Sequence, residues 1–183
     1  MLALFLRSKK YKIRKVVKKM KETKLFFYEV KDSYIEYLSK FDSHIMYSKI
    51  ESRKFKRKYI GILFKINEKL YIAPLSSYKE KHNKMKESID FIKIGNKSVI
   101  NLNNMFPVEN KNISKVNIEK EKDINYRQLL RNEYSLCILK FKKIIKNAKN
   151  LYNQVTIYKM PIKDRCCNFK LLEEKCFKFN HQK

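Results

Sequence analysis

Residues 59 to 75 leave this chain little choice of fold. Two apolar runs, Tyr59-Ile60-Gly61-Ile62-Leu63-Phe64-Lys65-Ile66 and Leu70-Tyr71-Ile72-Ala73-Pro74-Leu75, are separated only by Asn67-Glu68-Lys69. Short apolar runs rich in β-branched and aromatic residues, broken by a polar turn, read as a β-hairpin. A second hairpin follows, because Phe91-Ile92-Lys93-Ile94 and Ser98-Val99-Ile100-Asn101-Leu102 flank Gly95-Asn96, a tight-turn signal. Upstream, Leu25-Phe26-Phe27-Tyr28-Glu29-Val30 reads as a further strand. Ser33 and Glu36 have the spacing of a capping box, after which Ile35, Leu38 and Phe41 recur on one helical face.

The strongest helical period lies in residues 126 to 152, where Tyr126, Leu129, Leu130, Cys137, Phe141, Ile144, Ile145, Ala148 and Leu151 form one stripe, with Asn125 and Gln128 placed to cap its start. A short C-terminal helix is expected from about Asn168, burying Phe169, Leu172 and Cys176 and exposing Glu173, Glu174 and Lys175. The expected fold is therefore α+β: a small, mainly antiparallel sheet with helices packed on it. Residues 108 to 124 are polar and read as a mobile segment.

With 183 residues the chain suits one compact domain, and 44% hydrophobic content provides a core. Its 44 basic residues oppose 18 acidic ones, a formal net charge of +26. Such an excess repels itself unless a polyanion neutralises it, which favours nucleic acid. The 12 Tyr and 12 Phe point the same way, since exposed rings stack on unpaired bases. Cys137, Cys166, Cys167 and Cys176 lack the spacing of a zinc site and read as reduced thiols of a cytoplasmic protein. No stretch is long and apolar enough to span a membrane, and Leu2-Ala3-Leu4-Phe5-Leu6 precedes its charges, unlike a signal peptide. Residues 1 to 23 are a basic extension to a domain covering residues 24 to 183. They read either as an RNA-gathering arm or as an over-long start, with Met20 as the true first residue.

The chemistry concentrates after the first hairpin. If the second strand ends at Pro74, then Ser76, Ser77 and Lys79 sit at the strand end and in the loop beyond, a plausible phosphate site. A hairpin turning at Asn67-Glu68 sets residues near 57 to 59 across from residues near 76 to 78, so Arg57 can face Ser77 and Lys79. Hydroxyls and cations suit a ribonuclease that lets the substrate's own 2′-hydroxyl attack the adjacent phosphorus. No acidic pair sits here to hold two metal ions, and no cofactor is expected. His82 is a candidate general acid or base, though a single histidine at such a place is more often structural. On residue types alone, Ser76 and Ser77 read better as loop hydroxyls that cap the next helix.

Four separated segments resemble the ToxN/AbiQ (CptN-like) family of type III toxin–antitoxin toxins. They are Phe27-Tyr28 through Tyr34-Ile35, Tyr37-Leu38; Arg57-Lys58-Tyr59-Ile60-Gly61-Ile62; Tyr71-Ile72-Ala73-Pro74-Leu75-Ser76-Ser77-Tyr78-Lys79 with His82 and Asn83; and Cys167-Asn168-Phe169 through Leu171-Leu172-Glu173-Glu174-Lys175. The resemblance implies a strongly curved sheet similar to the Kid/MazF barrel and a sequence-specific endoribonuclease with a role in phage defence. It also implies a tandem-repeat antitoxin RNA, folded as a pseudoknot, that the toxin processes and that inhibits it by binding in a cyclic toxin–RNA assembly. Cellular or phage RNA would be the target, with no part for DNA or a membrane. On the chemistry of the block, the expected roles are Ser77 on the scissile phosphate, Lys79 and Arg57 on the developing negative charge, and Ser76 on the same oxygens, with Tyr59 in support. Tyr34, Lys31, Lys58, Lys81, Lys84 and Lys86 are the RNA-binding candidates. Lys58 and Tyr78 stand where relatives often carry Pro, and the basic leader has no counterpart. The rival readings are a non-catalytic RNA-binding protein and a membrane-surface protein anchored by residues 1 to 23.

Overall fold

The computed structural model describes residues 25–45 and 60–181. The basic extension 1–23 and the candidates Arg57, Lys58 and Tyr59 lie outside them. The described chain runs β1 (Phe27–Val30), α1 (Asp32–Ser39), β2 (Ile60–Ile66), β3 (Lys69–Ser77), α2 (Lys81–Lys84), β4 (Phe91–Ile94), β5 (Ser98–Asn101), β6 (Phe106–Val108), β7 (Ile113–Lys115), α3 (Ile124–Thr156) and α4 (Phe169–His181). All described strand pairs are antiparallel, in the order β4-β5-β3-β2-β1-β7, with β6 also on β3. The sheet is open, ending at β4 and β7, which is compatible with the barrel-like α+β fold expected.

The central hairpin is tighter than its sequence suggests. Lys69 already pairs with Ile66, leaving a two-residue turn in which Asn67 (φ 45°) and Glu68 (φ 63°) are both left-handed, the turn whose twist matches the flanking strands. β3 does not stop at Pro74. Its first half pairs with β6 through Leu70–Ile72, and its last residues Leu75, Ser76 and Ser77 pair with Ile100, Val99 and Ser98 of β5. Pro74 falls in the gap between these two partners on that edge, where a residue without an N–H is tolerated. Gly61 faces Pro74 across the hairpin, and a Cβ there would meet the Ala73 carbonyl oxygen and Ile72 Cγ1 at 2.6 Å. Only glycine lets β3 lie this close.

The helices cover the sheet through the faces their periodicity indicated. α3 buries Leu130, Cys137, Ile144, Ala148 and Leu151 from the expected stripe, together with Ile138 and Tyr152, and packs on β2 and β4. It starts earlier than expected, and the cap is Asp123, whose carboxylate accepts from the Tyr126 N–H at 3.0 Å, in place of Asn125. α1 has Lys31 at its cap with no side-chain cap, so the Ser33–Glu36 box does not form, and Phe41 stands beyond the helix and exposed. Residues 108 to 124 are ordered into two short 3₁₀ turns and the edge strand β7, which closes on β1. α4 buries Phe169, Leu172 and Cys176 as expected, but also Glu173. One Glu173 oxygen accepts from the Tyr71 and Tyr152 hydroxyls at 2.8 and 2.7 Å, and Lys69 binds the other. The four cysteines are free and buried. Among the described residues no helix is long and apolar enough to cross a membrane.

Candidate active site

The end of β3 opens onto a groove of about 380 Å³ bordered by Ser76, Ser77, Lys79, His82, Asn101 and Arg165. Successive residues of a strand alternate between its faces, but at this strand end both serines border the groove. Ser76 shares a face with Asn101 of β5, whose amide donates to the Ser76 oxygen at 3.1 Å. With that lone pair occupied, the Ser76 proton is left to donate to an incoming oxygen. Ser77 pairs with Ser98 of β5 and borders both this groove and a second cavity beside α3. The sequence placed both serines at the strand end and in the loop; both are in the strand, and only Lys79 lies in the loop. A strand holds them more rigidly than a loop would.

Lys79 is exposed, but its backbone is fixed from both sides. Its N–H donates to His82 Nδ1 at 2.9 Å, and its carbonyl accepts from the His82 N–H at 2.8 Å. The buried imidazole lies between the Tyr78 and Phe91 rings, at centroid distances of 5.3 and 5.4 Å. A nitrogen that accepts an N–H carries no proton, so the ring is the neutral Nε2–H tautomer. Burial first, and then the charges of Lys81, Lys79 and Lys93, hold its pKa below the ordinary value of 6.5. His82 thus acts on Lys79 as an anchor, and its Nδ1 is committed to that bond.

Arg165 enters the groove from the other end of the chain, and sequence reasoning missed it. Its guanidinium spans buried Asp90 with Nε–Oδ2 at 2.9 Å and Nη2–Oδ1 at 3.0 Å, and Ser88 Oγ donates to Asp90 at 2.6 Å. The segment carrying it is stapled to the turn at Leu102–Asn104: the Asn103 amide donates to the Arg165 carbonyl at 3.0 Å, and the Cys167 N–H donates to the Asn103 carbonyl at 2.8 Å. Such a two-pronged partner orients the fork while its outer edge stays exposed. A signal was present, since arginine makes up seven of the 44 basic residues and so marks places where the planar fork is needed. Asn101 carried no comparable signal.

The other candidates fall into three groups. Lys81, Lys84 and Lys86 are exposed on and after α2, beside the groove. Lys31 is exposed at the start of α1 and does not border the groove. Tyr34 is completely buried, its ring tilted against Phe106 and Phe179, and its hydroxyl donates to the Pro107 carbonyl at 2.8 Å. It is a core residue and not an RNA contact. The helical period that buries Ile35 and Leu38 carries Tyr34 inward with them. The α2 region is tied to α3 by Glu87, which binds Lys140 and Lys143; burial opposes its ionisation, but these bonds win and bring its pKa to about 2. Among the described residues no group of three His, Cys, Asp or Glu could hold a metal ion.

The chain is similar in sequence and fold to known proteins. Residues 26–176 match the family model described as toxin ToxN, type III toxin–antitoxin system. The endoribonuclease ToxN of Pectobacterium atrosepticum is 32% identical over 157 residues, covering 81% of this chain and 90% of the relative. That of Bacillus thuringiensis subsp. kurstaki is 29% identical over 166 residues, covering 85% and 84%. A solved structure from work on a processed non-coding RNA that regulates a bacterial antiviral system has a TM-score of 0.74 at 29% identity, covering 84% of this chain and 98% of that one. AbiQ, a lactococcal anti-phage endoribonuclease, shares the fold with a TM-score of 0.74 at 24% identity, over 87% of this chain and 100% of its own. With the family model spanning residues 26–176, most of its length, this chain belongs to the ToxN toxin family of type III toxin–antitoxin systems.

Proposed function

We propose that the chain is the endoribonuclease toxin of a type III pair, cutting single-stranded RNA without a metal. The observation that carries this reading is one groove holding a donor-ready Ser76 hydroxyl, Ser77, the anchored Lys79 and the Asp90-oriented Arg165. In the reaction the substrate 2′-hydroxyl bonds to phosphorus as the bond to the 5′-oxygen breaks, leaving a 2′,3′-cyclic phosphate and a 5′-hydroxyl. The protein's task is to orient the phosphate and stabilise the charge that grows on its non-bridging oxygens. Ser77 and Ser76 hydrogen-bond those oxygens, and Lys79 and Arg165 neutralise them. Arg57 joins them on the sequence reading of the hairpin. Asp90, the one carboxylate bordering the groove among the described residues, is committed to Arg165 and Ser88, so the donor set suits a phosphate better than a cation.

The same surface suits an inhibitory RNA. A protein of net charge +26, with Lys81, Lys84 and Lys86 leading from the groove, can neutralise many phosphates of a folded repeat RNA. Two solved relatives, from work on a processed regulatory RNA and on inhibition by an RNA pseudoknot, support that partner. Processing of the repeat transcript, a cyclic assembly and action in the cytoplasm complete the proposal. The test is incubation of the purified chain with single-stranded RNA in excess chelator. New ends bearing a cyclic phosphate are expected. Cleavage only after magnesium is added would overturn metal independence, and RNA binding with no cleavage in any condition would leave a non-catalytic RNA-binding protein.

His82 gives the activity an acid limit. The fold favours the neutral ring, a contribution fully present above pH 6.5 and lost as pH falls through the depressed pKa, when a protonated Nδ1 repels the Lys79 N–H. Cleavage rates are therefore expected to hold through pH 6.5 and to decline only at lower pH, as the depressed pKa of the folded ring is crossed. His82→Gln, whose amide oxygen can still accept, should flatten that limb, whereas His82→Ala should lower the rate about tenfold at every pH by loosening Lys79. An acid limb of the same position and slope in His82→Gln would assign it to another group.

A further inference from the structure

We propose that a second cavity beside the same serines seats one unpaired nucleobase of the substrate, next to the cleaved phosphate, and so selects which RNA sequences are cut. This rests on the RNA-cleaving reading above. The cavity, about 610 Å³, lies between the ends of β3 and β5 and the first turns of α3, and Ser76 and Ser77 border both it and the phosphate groove. A nucleotide whose phosphate rests on the serines therefore has this cavity within reach of its base. The volume falls within the range of small-molecule sites.

The linings of the two cavities differ in the way a phosphate and a base differ. The groove carries Lys79, Lys81 and Arg165, whereas the second cavity, among the described residues, has Lys97 as its one cation and the buried Glu133 as its one carboxylate, and is otherwise lined by amides, hydroxyls, leucines and two tyrosine rings. Asn125, Gln128 and Asn132 recur at helical spacing, so one face of α3 presents three carboxamides, each a donor and an acceptor. Such groups pair with base edges, and Tyr126 adds a half-buried ring against which a base face can stack. The Gln128 amide donates to Asn132 at 3.1 Å, which links two of these readers to each other.

Ser98 gives an independent indication. Its residue is 2% exposed, it borders this cavity opposite Ser77, and its hydroxyl is the only buried side-chain polar atom without a partner among the described residues. Buried hydroxyls normally find a partner, so one left open at a polar cavity marks where a ligand atom belongs.

The test uses the full chain and a pool of single-stranded RNAs with random bases, sequenced at the cut ends. For Gln128→Ala and Asn132→Ala, the preference for one base at a position adjacent to the cut should fall by about tenfold or more. Total cleavage of the pool should change less than about threefold, because the phosphate groove is intact. Unchanged preference in both variants, or loss of rate with preference retained, would overturn the proposal. A second readout does not need cleavage: an oligonucleotide with 2-aminopurine beside a 2′-deoxy position should be quenched on binding the wild type and much less so on binding Tyr126→Ala. If the wild type quenches but never cuts, the catalytic reading fails and the base site stands. If it cuts but shows neither quenching nor base preference, the base site fails alone.

Discussion

Lys79→Ala is expected to reduce RNA cleavage by a factor of about 10² to 10³, the loss found when one charge-stabilising group is removed from an active site. The side chain is exposed and its backbone anchor, His82, remains, so unfolding stability should stay within about 0.5 kcal/mol of wild type. Activity and stability then separate, which a folding defect could not produce. Arg165→Lys sharpens the result, because lysine keeps the charge but loses the fork that spans Asp90. Growth arrest on induction and cyclic-phosphate ends in total RNA provide the readout. A Lys79→Ala protein that cuts at the wild-type rate would place the chemistry outside this groove.

Glu173→Ala should have the largest effect on stability, about 2–4 kcal/mol, measured by denaturant unfolding. Removing the carboxylate leaves the Tyr71 and Tyr152 hydroxyls without their acceptor in the core, where both rings pack on Phe169. Glu173→Gln keeps an acceptor and should lose less, which separates hydrogen bonding from charge. Burial by itself would raise the Glu173 pKa, but the bonds from Lys69, Tyr152 and Tyr71 outweigh it and hold the pKa below the ordinary 4.5. The ionised group therefore stabilises the fold fully above pH 4.5, and that contribution is lost as pH falls below it. Glu87 acts in the same direction over the window from 4.5 to about 2. Wild-type stability should decline on acidification below pH 4.5, and the decline should be shallower in Glu173→Gln.

What could be read from the sequence alone was what neighbouring residues decide together. The β2–β3 hairpin, the Gly95 turn and the stripe on α3 each rest on a repeat of two or 3.6 residues within one segment, and a short window records that repeat in full. Ser76, Ser77 and Lys79 were legible because they sit at the end of such a segment. Arg57, Lys58 and Tyr59 lie outside the described residues, so their places in the site rest on the sequence.

The tertiary structure decided which side chains from distant segments meet. Ser76 receives its donor from Asn101, Asp90 receives Arg165, and Tyr71 meets Glu173, partners 25, 75 and 102 positions apart. Three separate expectations failed for this reason. β3 runs past Pro74 because β5 arrives beside it, Glu173 is buried because two tyrosines and Lys69 wait where α4 lands, and Tyr34 is core because Pro107 and Phe179 close over it. A local pattern states which face of an element is apolar. Only the packing of that face against another element selects the partner of each polar atom, and in this protein those partners make the site.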